Sequence, residues 1–421
     1  MSGAEASVSA PASGRVGQLV AGVVVMMAIS SPQYVWTLFA GPLRGVTGVG
    51  PAEIQTTFSI LIVLQTFFSP FQASLVDRFG PRRLIAVGAV LSGASWVLSA
   101  YVQNIWVLYA TYGLLGGFGT GIVYVGVIGL MVRWFPDRRG FATGMAAAGY
   151  GAGAILTSFP IADMIQSSGY ARTLVVFGCL QGLIGVAAAQ FLRQPPAGWR
   201  PSIVDTPSAT ATRTRRSYRP SEMLRHPAFW LLFAMMTMMS TGGLMVTSQV
   251  ATFAKEFGVA GAVVLGFAAV PFSLTLSRVT NGLTRPFFGW VSDRIGRELT
   301  MFIAFSLEAA AIAVLLAFAG NPALFVVLTG LVFFGWGEIF SLFPSTLTDL
   351  FGPDHAMRNY GFLYIAQGVG SILGAPVSAY LREQSGSWTL VFAIVVALDL
   401  LTAILAVTAL RRLRAAHLRP A

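Results

Sequence analysis

The chain has 421 residues, of which 55% are hydrophobic and only 10% charged, and its mean hydropathy is +0.72. That excludes an ordinary soluble protein, which needs far more charge to cover its surface. The net charge of +11 is dispersed over short loops instead of being gathered on a polar domain, so it argues against a nucleic-acid partner and for a topology signal in a lipid bilayer.

Taken in order, residues 1–15 are rich in Ser, Ala and Gly and read as a disordered terminus. No cleavable signal is expected, because the apolar segment after Arg15 is too long for one and carries Gln33 and Tyr34. Twelve spans follow, at about 16–42, 52–76, 84–102, 105–132, 140–166, 172–193, 227–254, 261–291, 299–319, 322–349, 357–381 and 388–410. Residues 194–226, rich in Pro, Ser, Thr and Arg, read as a cytoplasmic linker between a six-helix bundle at 16–193 and a second at 227–410, with a cytoplasmic tail at 411–421. An even number of spans puts both termini on one side. Of the 27 Lys and Arg residues, 21 fall on that side, four on the other, and Arg278 and Arg285 lie within the eighth span. This split predicts cytoplasmic termini. The ratio of 26 Arg to one Lys suggests a bacterial chain, hence a multi-pass protein of the cytoplasmic (inner) membrane.

The two halves repeat each other. Asp77-Arg78-Phe79-Gly80-Pro81-Arg82 after span 2 matches Asp293-Arg294-Ile295-Gly296-Arg297 after span 8. Trp134-Phe135-Pro136-Asp137 after span 4 likewise matches Leu350-Phe351-Gly352-Pro353-Asp354 after span 10. Two loop motifs at one offset argue for parallel six-helix repeats, the plan of transporters that rock around a midplane site. In the signature loops the aspartate is expected to cap the next helix, and the arginines to hold the turn at the headgroups.

Charges inside spans mark where function is expected. Arg285 lies about 12 Å along its helix from Asp293, deep enough to need a partner or a wet cavity. Its guanidinium offers a bidentate fork matched to a carboxylate. Arg278, two turns earlier on the same face, stands either as a second anion contact or as a partner for Glu338 of span 10. Glu338 is the acid best placed to carry a proton, since a buried carboxylate takes one up unless a cation holds it ionised. The glycine-rich runs 113–121, 144–153 and 361–374 read as close-packing faces. Cys179 stands alone, so no intrachain disulfide is possible, and the three histidines fall at segment ends; neither a metal nor a cofactor is expected. A membrane enzyme would need an acid–base or metal cluster, and a receptor an appended domain; neither pattern is evident.

The Asp77-Arg78-x-Gly80-x-Arg82 turn and its copy resemble the signature of the major facilitator superfamily. Finer likeness lies in Gln33-Tyr34-x-Trp36-Thr37-Leu38, Gly121-Ile122-Val123-Tyr124, Arg285-Pro286-Phe287-x-Gly289 and Phe343-Pro344-Ser345 with Asn359-Tyr360-Gly361-Phe362. Together these are similar to the oxalate/formate antiporter and monocarboxylate transporter branch. The resemblance implies an all-α fold of twelve helices and a small carboxylate substrate met by Arg285, with Gln33, Tyr34, Tyr124 and Trp336 lining the cavity. Asn281 and Gln367 are expected either to hydrogen-bond substrate or to cross-link helices. Where the oxalate exchanger carries a second cation in span 11, this chain has Gln367, and Phe340 stands in place of a tyrosine. One fixed cation suits one carboxylate. Asn281 and Leu43 occupy positions where the monocarboxylate branch often has an acid and a lysine, so proton coupling would need another route. Glu308 and Asp399, in spans the superfamily places outside the bundle, are expected to be structural. The expected protein is a monomeric transporter of lactate-, pyruvate- or formate-like anions, with or without protons; carboxylate exchange of the oxalate/formate kind is the alternative.

Overall fold

The computed structural model describes residues 12–196, 214, 216–259, 261–318 and 320–417. The readings of residues 1–11 as disordered and of most of the 194–226 linker therefore lie outside the described residues. Among the described residues, eight helices are long and apolar enough to cross a membrane, and a ninth span is made by Ala52–Phe67 and Ser69–Phe79, bent by 54°. Three less apolar helices, Pro81–Ser99, Ala269–Ile295 and Ala356–Ser385, complete the twelve. Each has a reason for its polarity. The first opens on Arg82 and Arg83, the second carries Arg278, Asn281 and Arg285, and the third carries Asn359 and Gln367. Of these groups Arg285, Asn359 and Gln367 are buried, whereas Arg82, Arg83 and Arg278 are exposed.

Several spans are broken where such groups sit. Span 1 runs Ala12–Ala28, Ser31–Tyr34 and Trp36–Thr47, so Gln33 and Tyr34 occupy the short middle piece. Span 10 is interrupted between Pro322–Trp336 and Ile339–Phe351, which leaves Glu338 at the break. In span 8, Pro286 follows Arg285 and removes one intrahelical donor. That helix begins at Ala269, not near residue 261 as hydrophobicity suggests. Leu265 and Gly266 both take positive φ (52° and 84°), and the turn they make pairs Val263 with Ala268 and Val264 with Phe267. An apolar run reports length but not a reversal of direction.

The two halves close on each other at the arginine-rich end. Gly140 and Gly289 approach so nearly that a Cβ on either would overlap the other's backbone, and Gly144 lies equally close to the Arg285 carbonyl. Spans 5 and 8 therefore meet backbone to backbone. The Asp293 carboxylate accepts from the backbone N–H groups of Gly140 (3.0 Å) and Phe141 (2.9 Å), and pairs with Arg297 at 2.7 Å. So it caps span 5 of the opposite half, not the next helix in sequence. Asp349 is the hub beside it, pairing with Arg139 at 2.6 Å and Arg297 at 2.9 Å. Asp77 does not copy Asp293: it pairs with Arg133 at 3.0 Å and, across the halves, with Arg358 at 3.2 Å. Arg78 lies over Phe79, Arg294 lies over Trp290, and Arg82 donates to Gln190. Gly80 and Gly296 take φ of 86° and 98°, which their places in the signature turns require. The Arg411–His417 helix brings Arg414 to Glu298 at 2.7 Å on the same face.

Charge-assisted bonds of this kind are worth about 1.5–3 kcal/mol each. Asp293→Asn, in a Cys179→Ser background, should therefore loosen the closed end. The expected result is about a tenfold rise in labelling of Thr143→Cys by an impermeant thiol reagent applied to the arginine-rich face. Thr143 is fully buried in that interface and lies 3.1 Å from Ser345 of the other half.

Candidate substrate site

Above the closed end lies a cavity of about 100 Å³ between the halves, room for an anion of a few heavy atoms. Arg285 is its only cation. It is 1% exposed, donates to the Ala147 carbonyl at 2.5 Å and to Asn281 Oδ1 at 2.8 Å, and its Cζ sits 4.7 Å from the centre of the Phe340 ring. Its Nε has no acceptor, and no carboxylate pairs with it among the described residues. The Asn281 link spans one turn of the same helix and sets the direction of the fork. The guanidinium is therefore oriented, desolvated and not neutralised.

An aromatic wall faces it. Tyr124 stacks on Tyr364 at 4.8 Å and meets Tyr150 edge-on at 5.3 Å, while Tyr34 meets Tyr150 at 5.4 Å. Tyr150 Oη donates to Gln33 Oε1 at 2.7 Å and accepts from Gln65 Nε2 at 3.3 Å, tying spans 1, 2 and 5 together. On the other side Ser240 Oγ donates to Gln367 Oε1 at 2.6 Å, which turns the Gln367 amide N–H groups away from that bond.

Of the residues expected at the site, Arg285, Gln33, Tyr34, Tyr124 and Gln367 line this one cavity. Asn281 acts through Arg285. Trp336 is turned away: its Nε1 donates to the Met239 carbonyl at 3.0 Å, and only its ring edge reaches Phe340. Arg278 is exposed, lines a separate cavity and does not pair with Glu338. Gln65, Tyr150 and Tyr364 also line the site, although sequence reasoning did not single them out. Gln65 was signalled as a polar break in an apolar run; Tyr150 was hidden in a glycine-rich stretch.

Behind Phe340, the C-terminal half holds a second polar group. Glu308, Glu338 and Asp399 are each 0% exposed, their carboxylate oxygens find no donor on another residue among the described residues, and they lie within electrostatic range of one another. Glu338 is also within range of Arg285. Gly335 lets span 10 approach Glu308, and Gly242 of span 7 faces Asp399. Glu308 and Asp399, expected to be structural because the superfamily places their spans outside the bundle, thus lie buried within range of Glu338.

A polar cavity between two six-helix halves, closed at one end by paired signature loops, defines a membrane transport protein of the alternating-access kind. The chain belongs to the Major Facilitator Superfamily, whose pattern it matches over residues 18–282 and 272–421. It is 35% identical to the oxalate:formate antiporter of Oxalobacter formigenes over 380 residues, which is 89% of this chain and 87% of that one. It is 27% identical to monocarboxylate transporter 13 of Bos taurus (82% of this chain, 77% of that one) and 26% identical to human monocarboxylate transporter 11 (79% and 70%).

Tyr150→Phe removes the hydroxyl that joins Gln33 to Gln65 and leaves the buried Gln65 amide and the half-buried Gln33 amide short of a partner. It should lower stability by about 1–3 kcal/mol, read as a fall in the melting temperature of the purified protein relative to Tyr109→Phe, whose hydroxyl bond to the Glu53 carbonyl is exposed.

Proposed function

We propose that this chain is a secondary active transporter of small monocarboxylates, lactate-, pyruvate- or formate-like, that carries its substrate on Arg285 by alternating access. One observation carries the reading: a fully buried, oriented guanidinium with no counter-ion of its own. Holding such a charge dry is costly, and a substrate carboxylate that takes the free edge of the fork supplies the missing charge. The same binding energy is available to draw the halves together over the anion. With Gln367 opposite it, the cavity offers one full positive charge, which suits one carboxylate. The 35% identity to an oxalate:formate antiporter supports exchange of carboxylates as the second reading, with transport and not catalysis the activity in both.

Coupling to protons is assigned to Glu338. Glu338 lies within electrostatic range of Arg285 without pairing with it; substrate at Arg285 would cancel that cation's pull on the ionised carboxylate, and Glu338 would then take up one proton. Substrate and proton then cross as a neutral pair. The protein works as a monomer in a bacterial cytoplasmic membrane with both termini inside, as the arginine distribution suggests, so the closed end faces the cytoplasm.

Purified protein in liposomes, given a panel of labelled acids, tests both assignments. Arg285→Lys keeps the charge but loses the fork, and transport of the preferred acid should fall at least tenfold while folding survives; transport near the wild-type rate would remove Arg285 from the site. Glu338→Gln should abolish accumulation driven by an imposed pH difference, whose acid side feeds the proton, while exchange at equal pH continues. Accumulation by that variant under a pH difference alone would make Glu338 a structural group.

A further inference from the structure

Arg278 is a charged group within a span that the site above leaves unused. It lies seven residues before Arg285, about 10 Å along the same helix away from the closed end, and nearly on the same face. It lines a cavity of about 280 Å³ together with Tyr34, Thr37 and Phe159. Among the described residues it forms no ion pair, hydrogen bond or ring contact. Asp163, one residue beyond the lining residue Ala162, does not pair with it. The hydroxyls of Ser158 and Thr275 are committed to their own helix carbonyls at 2.5 and 2.9 Å. Those of Tyr34 and Thr37 are bound to nothing among the described residues. The free donors therefore line one cavity: a guanidinium, a phenol and a threonine hydroxyl, with no charged acceptor in its lining. A cationic ligand would meet the Arg278 charge with no acid in the lining to offset it. An anion gains a charge-assisted bond from Arg278 and neutral bonds from the other two.

Tyr34 lines both this cavity and the one at Arg285. The two are thus neighbours, separated by one aromatic side chain in the broken middle of span 1. We propose that Arg278, Tyr34 and Thr37 form an outer anion site, which a small carboxylate occupies before it passes Tyr34 to reach Arg285. This rests on the carboxylate reading of the Arg285 site. A half-hydrated arginine at the mouth of a low-dielectric cleft raises the local concentration of anions and speeds capture more than it deepens final affinity. Its position two turns out on one helix face makes the handover a move along a single row of donors.

The test is uptake of formate, acetate and lactate into liposomes from the side on which Arg278 opens, at varied ionic strength. Arg278→Gln should raise KM about tenfold and change the maximal rate less than twofold. It should also flatten the salt dependence that the wild type shows at low substrate. Arg278→Lys, which keeps the charge, should restore most of the loss, separating a charge effect from a folding defect. A titration of Arg285→Gln with formate should keep a weak saturable site that Arg278→Gln, added to it, abolishes. Wild-type transport of these acids, with Arg278→Gln matching it in KM and salt slope, would overturn the outer site alone. A wild type that neither binds nor moves any of them would overturn the outer site together with the carboxylate reading.

Discussion

Everything in the centre of this molecule is arranged around a guanidinium that has no counter-ion. Arg285 is oriented by Asn281 and Ala147 and covered by Phe340, yet no acid is supplied to it among the described residues. In a soluble protein this charge would be left in water. At membrane depth it is tolerated only where it faces something polar, and the cavity supplies tyrosines and amides in place of an acid. Neutral donors and acceptors orient the cation without cancelling it, which keeps the site attractive to an anion whenever it is empty.

The second constraint is that the two halves meet on backbone. Gly140, Gly144 and Gly289 bring spans 5 and 8 together immediately below Arg285, and Gly144 touches the Arg285 carbonyl itself. The position of the cation is therefore tied to the closure of the arginine-rich end, where Asp293 caps span 5 and Asp349 gathers arginines from both halves. Opening that end must separate span 5 from span 8 and so must disturb the Ala147 bond to Arg285. On the proposed reading, substrate and gate compete or cooperate through one residue, without any longer path between them.

Much of this was legible in the sequence. Twelve spans, the repeat and the depth of Arg285 follow from hydrophobic run length, from two loop motifs at one offset and from a charge inside an apolar segment. Gln33 and Tyr124 were placed at the cavity only by the family resemblance, and Gln367 was singled out because it stands where the oxalate exchanger carries a second cation; all three line the cavity. What was not legible depends on which faces of distant helices meet. Asp293 caps a helix some 150 residues away in sequence, so its local motif suggested the wrong partner. Tyr150 sits in a glycine-rich stretch that reads as packing, although its hydroxyl joins two glutamines. Glu308 and Asp399 belong to spans that read as outer ones, and only their rotation shows that both face Glu338. Trp336 failed in the opposite sense: a polar-tipped aromatic in a cavity-lining span is satisfied by the Met239 carbonyl and never reaches the cavity.

The central claim is that Arg285 receives the carboxylate of a transported acid. The most direct measurement is a structure of the protein with the best-transported acid bound, in the wild-type chain. The account predicts both carboxylate oxygens on the Arg285 fork, with N···O separations of about 2.7–2.9 Å, and the aliphatic part of the acid against Tyr124 and Phe340. An acid held elsewhere, with the Arg285 guanidinium still bonded only to Asn281 and Ala147, would contradict it.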